Sequence, residues 1–340
     1  MAPRQKVLHL SPIHFAFNDW AAVAEIADII QPKATNRQAF IEECRSGAFD
    51  GVTVAYRSFD AFNITGFLDH EVLKELPKTL KFICSNGAGY DQLDVDACTA
   101  HSVFVSNTPS AVDDATADIG IWLMLGALRG LSNPIFTARA GAFRGSPLPP
   151  LAHDPQGKTL GILGMGGIGR NMARKARAFG MRIRYHNRKQ LSPDLEEGAE
   201  YVGFEQLLRE SDVLSLNLPL NPATRHTIST PQFALMKPGI VIVNTARGAV
   251  MDEAALVTAL NDGTVSSVGL DVFEKEPEIH SGLIKHPRAL LLPHMGTWTV
   301  ETQTKMEEWA IGNVLAALKE QKLTSVIPEQ QKLVSWESRL

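Results

Sequence analysis

Three segments in the second half of the chain carry side chains able to hold an anion and move a proton: VNTARGAVMDEAAL with Arg247, GLDVFEKEP with Asp271 and Glu276, and LLLPHMGTW with His294. An arginine fork grips a carboxylate through two parallel hydrogen bonds. An imidazole titrates near neutral pH and suits a general acid. A carboxylate beside it favours the protonated ring and fixes its tautomer. Taken singly, each residue also has an ordinary structural account: Arg247 capping a strand end, Glu276 as a loop charge before Pro277, His294 as a satisfied structural histidine. Chemistry is expected because all three follow strands of one series, and ligands of open α/β sheets sit beyond the carboxyl ends of the strands.

A further segment says what those groups would act with. KTLGILGMGGIGRNMARKARAFG, starting at Lys158, runs an apolar strand into glycines and then into a helical stretch. Gly164, Gly166 and Gly169 have the G-x-G-x-x-G spacing, with Gly167 and Ile168 between the last two. The first glycine permits a tight turn, the second lets backbone approach a pyrophosphate, and the third allows close helix-to-strand packing. Free N–H groups at the helix start complement the phosphates. A nicotinamide nucleotide held there would supply hydride. Arg247 would then bind the carboxylate and polarise the carbonyl of a 2-oxo acid, while His294 protonates the oxygen.

The strand after the glycine turn ends in IRYHNRKQ. An NAD site places Asp or Glu there for the ribose hydroxyls. This chain has Asn187 and Arg188 instead. A carboxylate would repel a 2′-phosphate, whereas a guanidinium pairs with it. NADP(H) is therefore expected in preference to NAD(H), with NAD(H) still usable, and with His186 and Lys189 near the same phosphate. A solvated basic turn is the plainer alternative.

The elements that must position these groups form two alternating series. Strands are expected at 6–10, 51–56, 80–84 and 103–105, separated by helical stretches such as 20–30 and 37–44. After the proline-rich GSPLPPLAHDPQG, strands recur at 159–163, 182–186, 213–218, 240–244, 267–272 and 290–292. Alternation of this kind predicts parallel α/β sheets. The length of 340 residues suits two domains. Residues 1–108 with 302–340 would form one and 109–301 the other, because a helix over 301–319 has no place in the second series. The evenly apolar helix near 115–129 is expected to lie buried between them.

A net charge of -4 and 21% charged residues leave no basic field for nucleic acid. Cys44, Cys84 and Cys98 are too few and too spread for a disulfide framework or a zinc site, so no metal is expected. The apolar run 119–128 is too short to span a bilayer. A cytoplasmic protein without membrane or nucleic-acid partners is expected, with a peroxisomal alternative because Ser338-Arg339-Leu340 resembles the S-K-L address.

On its motifs the chain resembles the D-isomer-specific 2-hydroxyacid dehydrogenases, over most of its length from SNGAGYDQLD at Ser85 through HMGTW. The family pattern is a mid-chain glycine turn, then N-x-[AS]-R-G, D-V-x-x-x-E-P and P-H-[IM]-G, and all four are present in that order. The resemblance implies two Rossmann-like domains: a flavodoxin-like substrate domain built from both chain ends, and an inserted NAD(P)-binding domain that forms homodimers. It also implies an interdomain cleft that closes on hinges near 108–111 and 299–302, and the same roles for Arg247, Glu276 and His294 that their chemistry suggests. By this resemblance, backbone N–H groups of Asn86, Gly87, Ala88 and Gly89 bind the substrate carboxylate and Asp271 contacts the nicotinamide amide. Further cofactor contacts map to Gly167, Ile168, Leu218, Pro219, Thr245, Ala246 and Gly296.

The HNR sequence is similar to that of the NADPH-preferring glyoxylate and hydroxypyruvate reductase branch and to fungal D-mandelate dehydrogenases. The product implied is an (R)-2-hydroxy acid. Glyoxylate, hydroxypyruvate, phenylglyoxylate and branched oxo acids stay open as substrates, and Trp298, Phe273, Tyr90 and Phe15 are candidates to shape the pocket. Formate dehydrogenases share the scaffold but carry Gln where Glu276 stands. Corepressors resembling the fold keep the site and act by recruiting partners, which is the rival reading.

Overall fold

Runs such as VLSL and IVIVN are apolar at almost every position, which suits strands covered on both faces. In the computed structural model, which describes residues 4–333, these runs are the buried centre of a parallel sheet. The described residues fall into two compact units. One runs up to Val112 and resumes at Thr299; the other is Asp113–Trp298. Ser338-Arg339-Leu340 lies outside the described residues.

Among the helices of the described residues, those that bear on the site and its frame are α1 Phe17–Ile26, α2 Arg37–Arg45, α3 Asp113–Leu128, α4 Gly167–Arg177, α5 Glu253–Asp262 and α6 Val300–Glu320. The first unit has strands β1 Gln5–His9, β2 Ala27–Ile30, β3 Val52–Arg57, β4 Phe82–Ser85 and β5 Phe104–Ser106. They pair in parallel in the order β2-β1-β3-β4-β5, the flavodoxin-like order. Strand alternation sends Leu8, Ala55, Ile83 and Val105 to a core shared with Phe40 of α2. Val7, Val54 and Tyr56 point to the opposite core, with Ile311 and Val314 of α6. The late helix α6 thus packs on β3, β4 and α1.

The second unit has β6 Thr159–Leu163, β7 Arg182–His186, β8 Glu200–Tyr201, β9 Val213–Leu216, β10 Ile240–Asn244, β11 Val265–Leu270 and β12 Ala289–Leu291. Their order is β12-β11-β10-β9-β6-β7-β8. This is the doubly wound Rossmann arrangement with one strand added at the far edge, and its switch point lies between β6 and β9. The helix expected over 115–129 is α3, whose apolar residues pack against α4, β10, β11 and β12.

Two strands depart from the sequence reading. The helix expected over 20–30 ends at Ile26, and Ala27–Ile30 instead forms β2 at the sheet edge. ADII continues an apolar run, so only pairing with β1 reveals the change. Glu200–Tyr201 forms the short β8, too brief to show a period of its own. Among the described residues, no single helix is long and apolar enough to cross a membrane.

Candidate active site

The glycine turn leaves β6 at Leu163. Gly164 has φ +98°, and a Cβ there would come within 2.7 Å of the Asn217 carbonyl oxygen, so both conformation and space call for glycine. A Cβ on Gly169 would stand 2.5 Å from the Gly164 carbonyl oxygen, so strand, turn and helix are pressed together. Around Gly166 the space is open to 4 Å. Gly166 precedes α4 as its N-cap and no side chain caps the helix, which leaves the first-turn N–H groups to an anion. Nearby strand ends offer two buried polar atoms without a partner among the described residues, Asn217 Oδ1 after β9 and Thr245 Oγ1 after β10. An open backbone cradle with orphaned polar atoms beside it fits a dinucleotide.

The residues after β7 divide by role. Asn187 Oδ1 accepts the Met165 N–H at 2.7 Å, so its side chain fixes the glycine turn. The His186 ring stacks on Tyr201 and shares a 2.9 Å hydrogen bond with the Val202 carbonyl. Both residues are thereby tied into the sheet edge. Arg188 and Lys189 are exposed, and neither forms an ion pair among the described residues.

The chemical groups gather after β10, β11 and β12. Arg247 follows β10, with its carbonyl held by Asn244 Nδ2 at 3.0 Å and its guanidinium donating to the Ala246 carbonyl at 2.7 Å. Glu276 Oε2 lies 2.8 Å from His294 Nδ1, while Oε1 accepts the Phe273 N–H at 2.9 Å. Burial works to raise the Glu276 carboxyl. The hydrogen bond and charge of His294, the Phe273 N–H and the Arg247 charge outweigh that cost and hold it below the ordinary carboxylate range. Nδ1 is thus engaged by the carboxylate, which fixes the orientation of the ring.

Asp271 explains how His294 is aimed. It is 1% exposed, and its carboxylate accepts the N–H groups of Met295 at 2.6 Å and Gly296 at 2.8 Å. Its carbonyl takes the His294 N–H at 2.8 Å. His294 itself has φ +57°, a left-handed conformation that this clamp sustains. Burial keeps the Asp271 carboxyl above its ordinary range despite those N–H groups. The carboxylate expected at the nicotinamide amide therefore braces the histidine turn. Among the other expected cofactor residues, Leu218 and Pro219 follow β9, Thr245 and Ala246 follow β10, and Gly296 follows β12. Ile168 stands at the start of α4.

The expected carboxylate loop belongs to the first unit, after β4. Its N–H groups are not equivalent. Asn86 donates to the Arg57 carbonyl at 2.7 Å and Gly87 to Thr108 Oγ1 at 3.2 Å. The N–H groups of Ala88 and Gly89 have no acceptor among the described residues. Sequence reading missed the cation behind this loop. Arg57 is 2% exposed, bonds Ser85 Oγ at 3.1 Å and also Gln92, and burial pushes its pKa down to about 10. An arginine closing the apolar strand VAYR was the available signal.

The aromatic candidates also divide. Phe273 is buried in the core with Val250 and Leu256. The Tyr90 hydroxyl is bonded to Glu329 at 2.9 Å. Phe15 is half-buried beside His14, and Trp298 is exposed.

The model of the D-isomer specific 2-hydroxyacid dehydrogenase NAD binding domain matches residues 121–296. Over 326 residues, 96% of this chain and 98% of the relative, the sequence is 51% identical to 4-methyl-2-oxopentanoate reductase A of Aspergillus oryzae. A solved glyoxylate reductase from Paecilomyes thermophila is 52% identical with a TM-score of 0.94, covering 97% of this chain and 100% of that one. The holo D-mandelate dehydrogenase of Rhodotorula graminis is 31% identical, with a TM-score of 0.89 and coverage of 96% and 98%. An NADPH-dependent glyoxylate/hydroxypyruvate reductase of Sinorhizobium meliloti, solved with NADP and malonate, is 28% identical with a TM-score of 0.83 and coverage of 96% and 98%.

Proposed function

Because the chain belongs to the D-isomer specific 2-hydroxyacid dehydrogenase family, and with it to the oxidoreductases that reduce 2-oxo acids, we propose NADPH as its preferred reductant and an (R)-2-hydroxy acid as its product. The observation that carries the reading is the 2.8 Å pair of Glu276 with His294 Nδ1, within the field of Arg247. The glycine turn would hold the pyrophosphate of a nicotinamide nucleotide, which would supply the hydride. Arg247 grips the substrate carboxylate and polarises the neighbouring carbonyl. By the family resemblance, the Ala88 and Gly89 N–H groups, without an acceptor among the described residues, are further carboxylate donors. His294 gives the Nε2 proton to the developing alkoxide, and Glu276 stabilises the ring while it is charged.

NADPH preference rests on the absence of a carboxylate after β7 and on the exposed Arg188 and Lys189; the Sinorhizobium relative holds NADP. For substrate we favour aliphatic 2-oxo acids, glyoxylate and 4-methyl-2-oxopentanoate before phenylglyoxylate. The relatives named for the first two are 52% and 51% identical, against 31% for the mandelate enzyme. Initial rates over this panel with NADPH and NADH test both choices. Higher kcat/KM with NADPH and an aliphatic acid is expected; a clear preference for NADH, or turnover of none of these acids, would overturn the reading.

A further inference from the structure

Glu276 is carried by a short strap, residues 273–278, that lies outside any helix or named strand. Its position must come from what lies behind it, and segment 248–253 supplies two contacts. At Gly248 a Cβ would stand 1.9 Å from the Phe273 carbonyl carbon and 2.3 Å from the Glu274 nitrogen, so the strap rests directly on backbone. Glu253, the first residue of α5, is 5% exposed, and its Oε1 accepts the Glu274 N–H at 2.8 Å.

Two neighbouring peptide N–H groups of the strap are thus taken by two carboxylates: that of Glu274 by Glu253, and that of Phe273 by Glu276, which holds His294. Glu253 is not needed as a helix cap, because Asp252 is the N-cap and accepts the Ala255 N–H at 3.0 Å. Nor does it form an ion pair among the described residues. A buried carboxylate whose hydrogen bond goes to the strap has the strap as its task.

We propose that Glu253 is a positioning residue for proton transfer: its hydrogen bond to the Glu274 N–H sets the strap so that Glu276 meets His294 Nδ1. This rests on the proposed reduction of a 2-oxo acid. The groups that act on Glu253 are known. Burial raises its carboxyl above the ordinary range; the Glu274 N–H opposes this, the Glu274 charge adds to it, His280 opposes it and Glu276 adds to it. Asp252, His226, Lys275 and Glu278 line the same surface. On its outer side the strap is tied by Glu274 Oε1 to His226 Nε2 at 2.8 Å, so it is held from both sides.

The test compares pH profiles of 2-oxo acid reduction in the wild type, Glu253→Met and Glu253→Gln. Met keeps the length but accepts no hydrogen bond, whereas Gln keeps the accepting oxygen. Glu253→Met should lose about tenfold or more in kcat, as misplaced catalytic groups do. Its basic limb should move to lower pH, because the Glu276 carboxylate would no longer be held against the imidazolium that donates the proton. The KM for nucleotide should stay within about twofold, because the glycine turn is untouched. Glu253→Gln should stay within about threefold of wild type, since a neutral acceptor still satisfies the N–H. A merely structural role would lower Tm and leave the basic limb in place.

An unchanged kcat and pH profile in Glu253→Met would overturn the proposal, as would equal impairment of the Gln and Met variants. Should the Met variant not fold, Glu253→Asp, whose oxygen falls short of the strap, carries the same prediction. If the wild type itself reduces no 2-oxo acid, the proposed function fails. If it does and the Met variant matches it, only the role of Glu253 fails.

Discussion

At the scale of single residues, the division of labour among Arg247, Glu276 and His294 makes separable predictions. His294→Ala should lower kcat by about a hundredfold or more, the usual worth of a general acid. Arg247→Lys should not rescue Arg247→Ala, because a point charge lacks the fork that grips carboxylate and carbonyl together; steady-state kinetics of the two variants check this. Replacing Arg188 and Lys189 by Ala should reduce kcat/KM for NADPH by about tenfold, on the order of one or two lost charge-assisted bonds, and leave NADH turnover unchanged. Arg247, Glu276 and His294 could be read in the sequence because each is a chemically distinctive residue just past an apolar run. Asn187 was legible as a residue of this turn, but its bond to the Met165 N–H was not, since it crosses from one strand end to another. Arg57 and Glu253 did not stand out. An arginine ending a strand and a glutamate opening a helix are ordinary in a sequence, and only burial makes them costly enough to need a task.

At the scale of elements, the site depends on backbone packed against backbone. Gly248→Ala should displace the strap that bears Glu276, because the new Cβ would stand 1.9 Å from the Phe273 carbonyl carbon; Tm and kcat should fall together. Asp252→Ala removes the N-cap of α5 and should cost about 1 kcal/mol, measurable by chemical denaturation. The buried strands of both sheets were readable because parallel strands covered on both faces are continuous apolar runs. The edge strand β2 was not, since ADII joins the apolar tail of α1, and tertiary pairing with β1 decides its conformation.

At the scale of the whole molecule, buried carboxylates set the response to acid. The folded protein holds Glu276 below its ordinary range through His294, the Phe273 N–H and Arg247. It holds Asp252 there through the Ala255 N–H, and Asp212 there because Lys237 and the Thr159 N–H outweigh its burial. Their stabilisation is complete above the unfolded values, 4.5 for Glu and 3.8 for Asp, and is lost as pH falls through the lower folded values. Glu253 and Asp271, raised by burial, act oppositely and destabilise progressively as pH rises from those unfolded values. Tm should therefore drop as pH falls through and below the ordinary carboxylate values, with Glu253 and Asp271 offsetting part of the loss; a Tm that stays flat to pH 3 would contradict these assignments. Assembly offers a second test: Phe136, Phe143, Leu148 and Leu151 are exposed in the Rossmann unit. We propose that they pair with a second copy, and light scattering should give twice the 37.1 kDa chain mass, falling to one in Leu148→Glu/Leu151→Glu. The most direct measurement of all is a single turnover of NADPH with 4-methyl-2-oxopentanoate, followed by nucleotide absorbance, in wild type, His294→Ala and Glu276→Gln. Rapid oxidation by the wild type, with both variants slowed at least about tenfold although NADPH still binds, is the predicted result; variants that oxidise NADPH as fast as the wild type would contradict it.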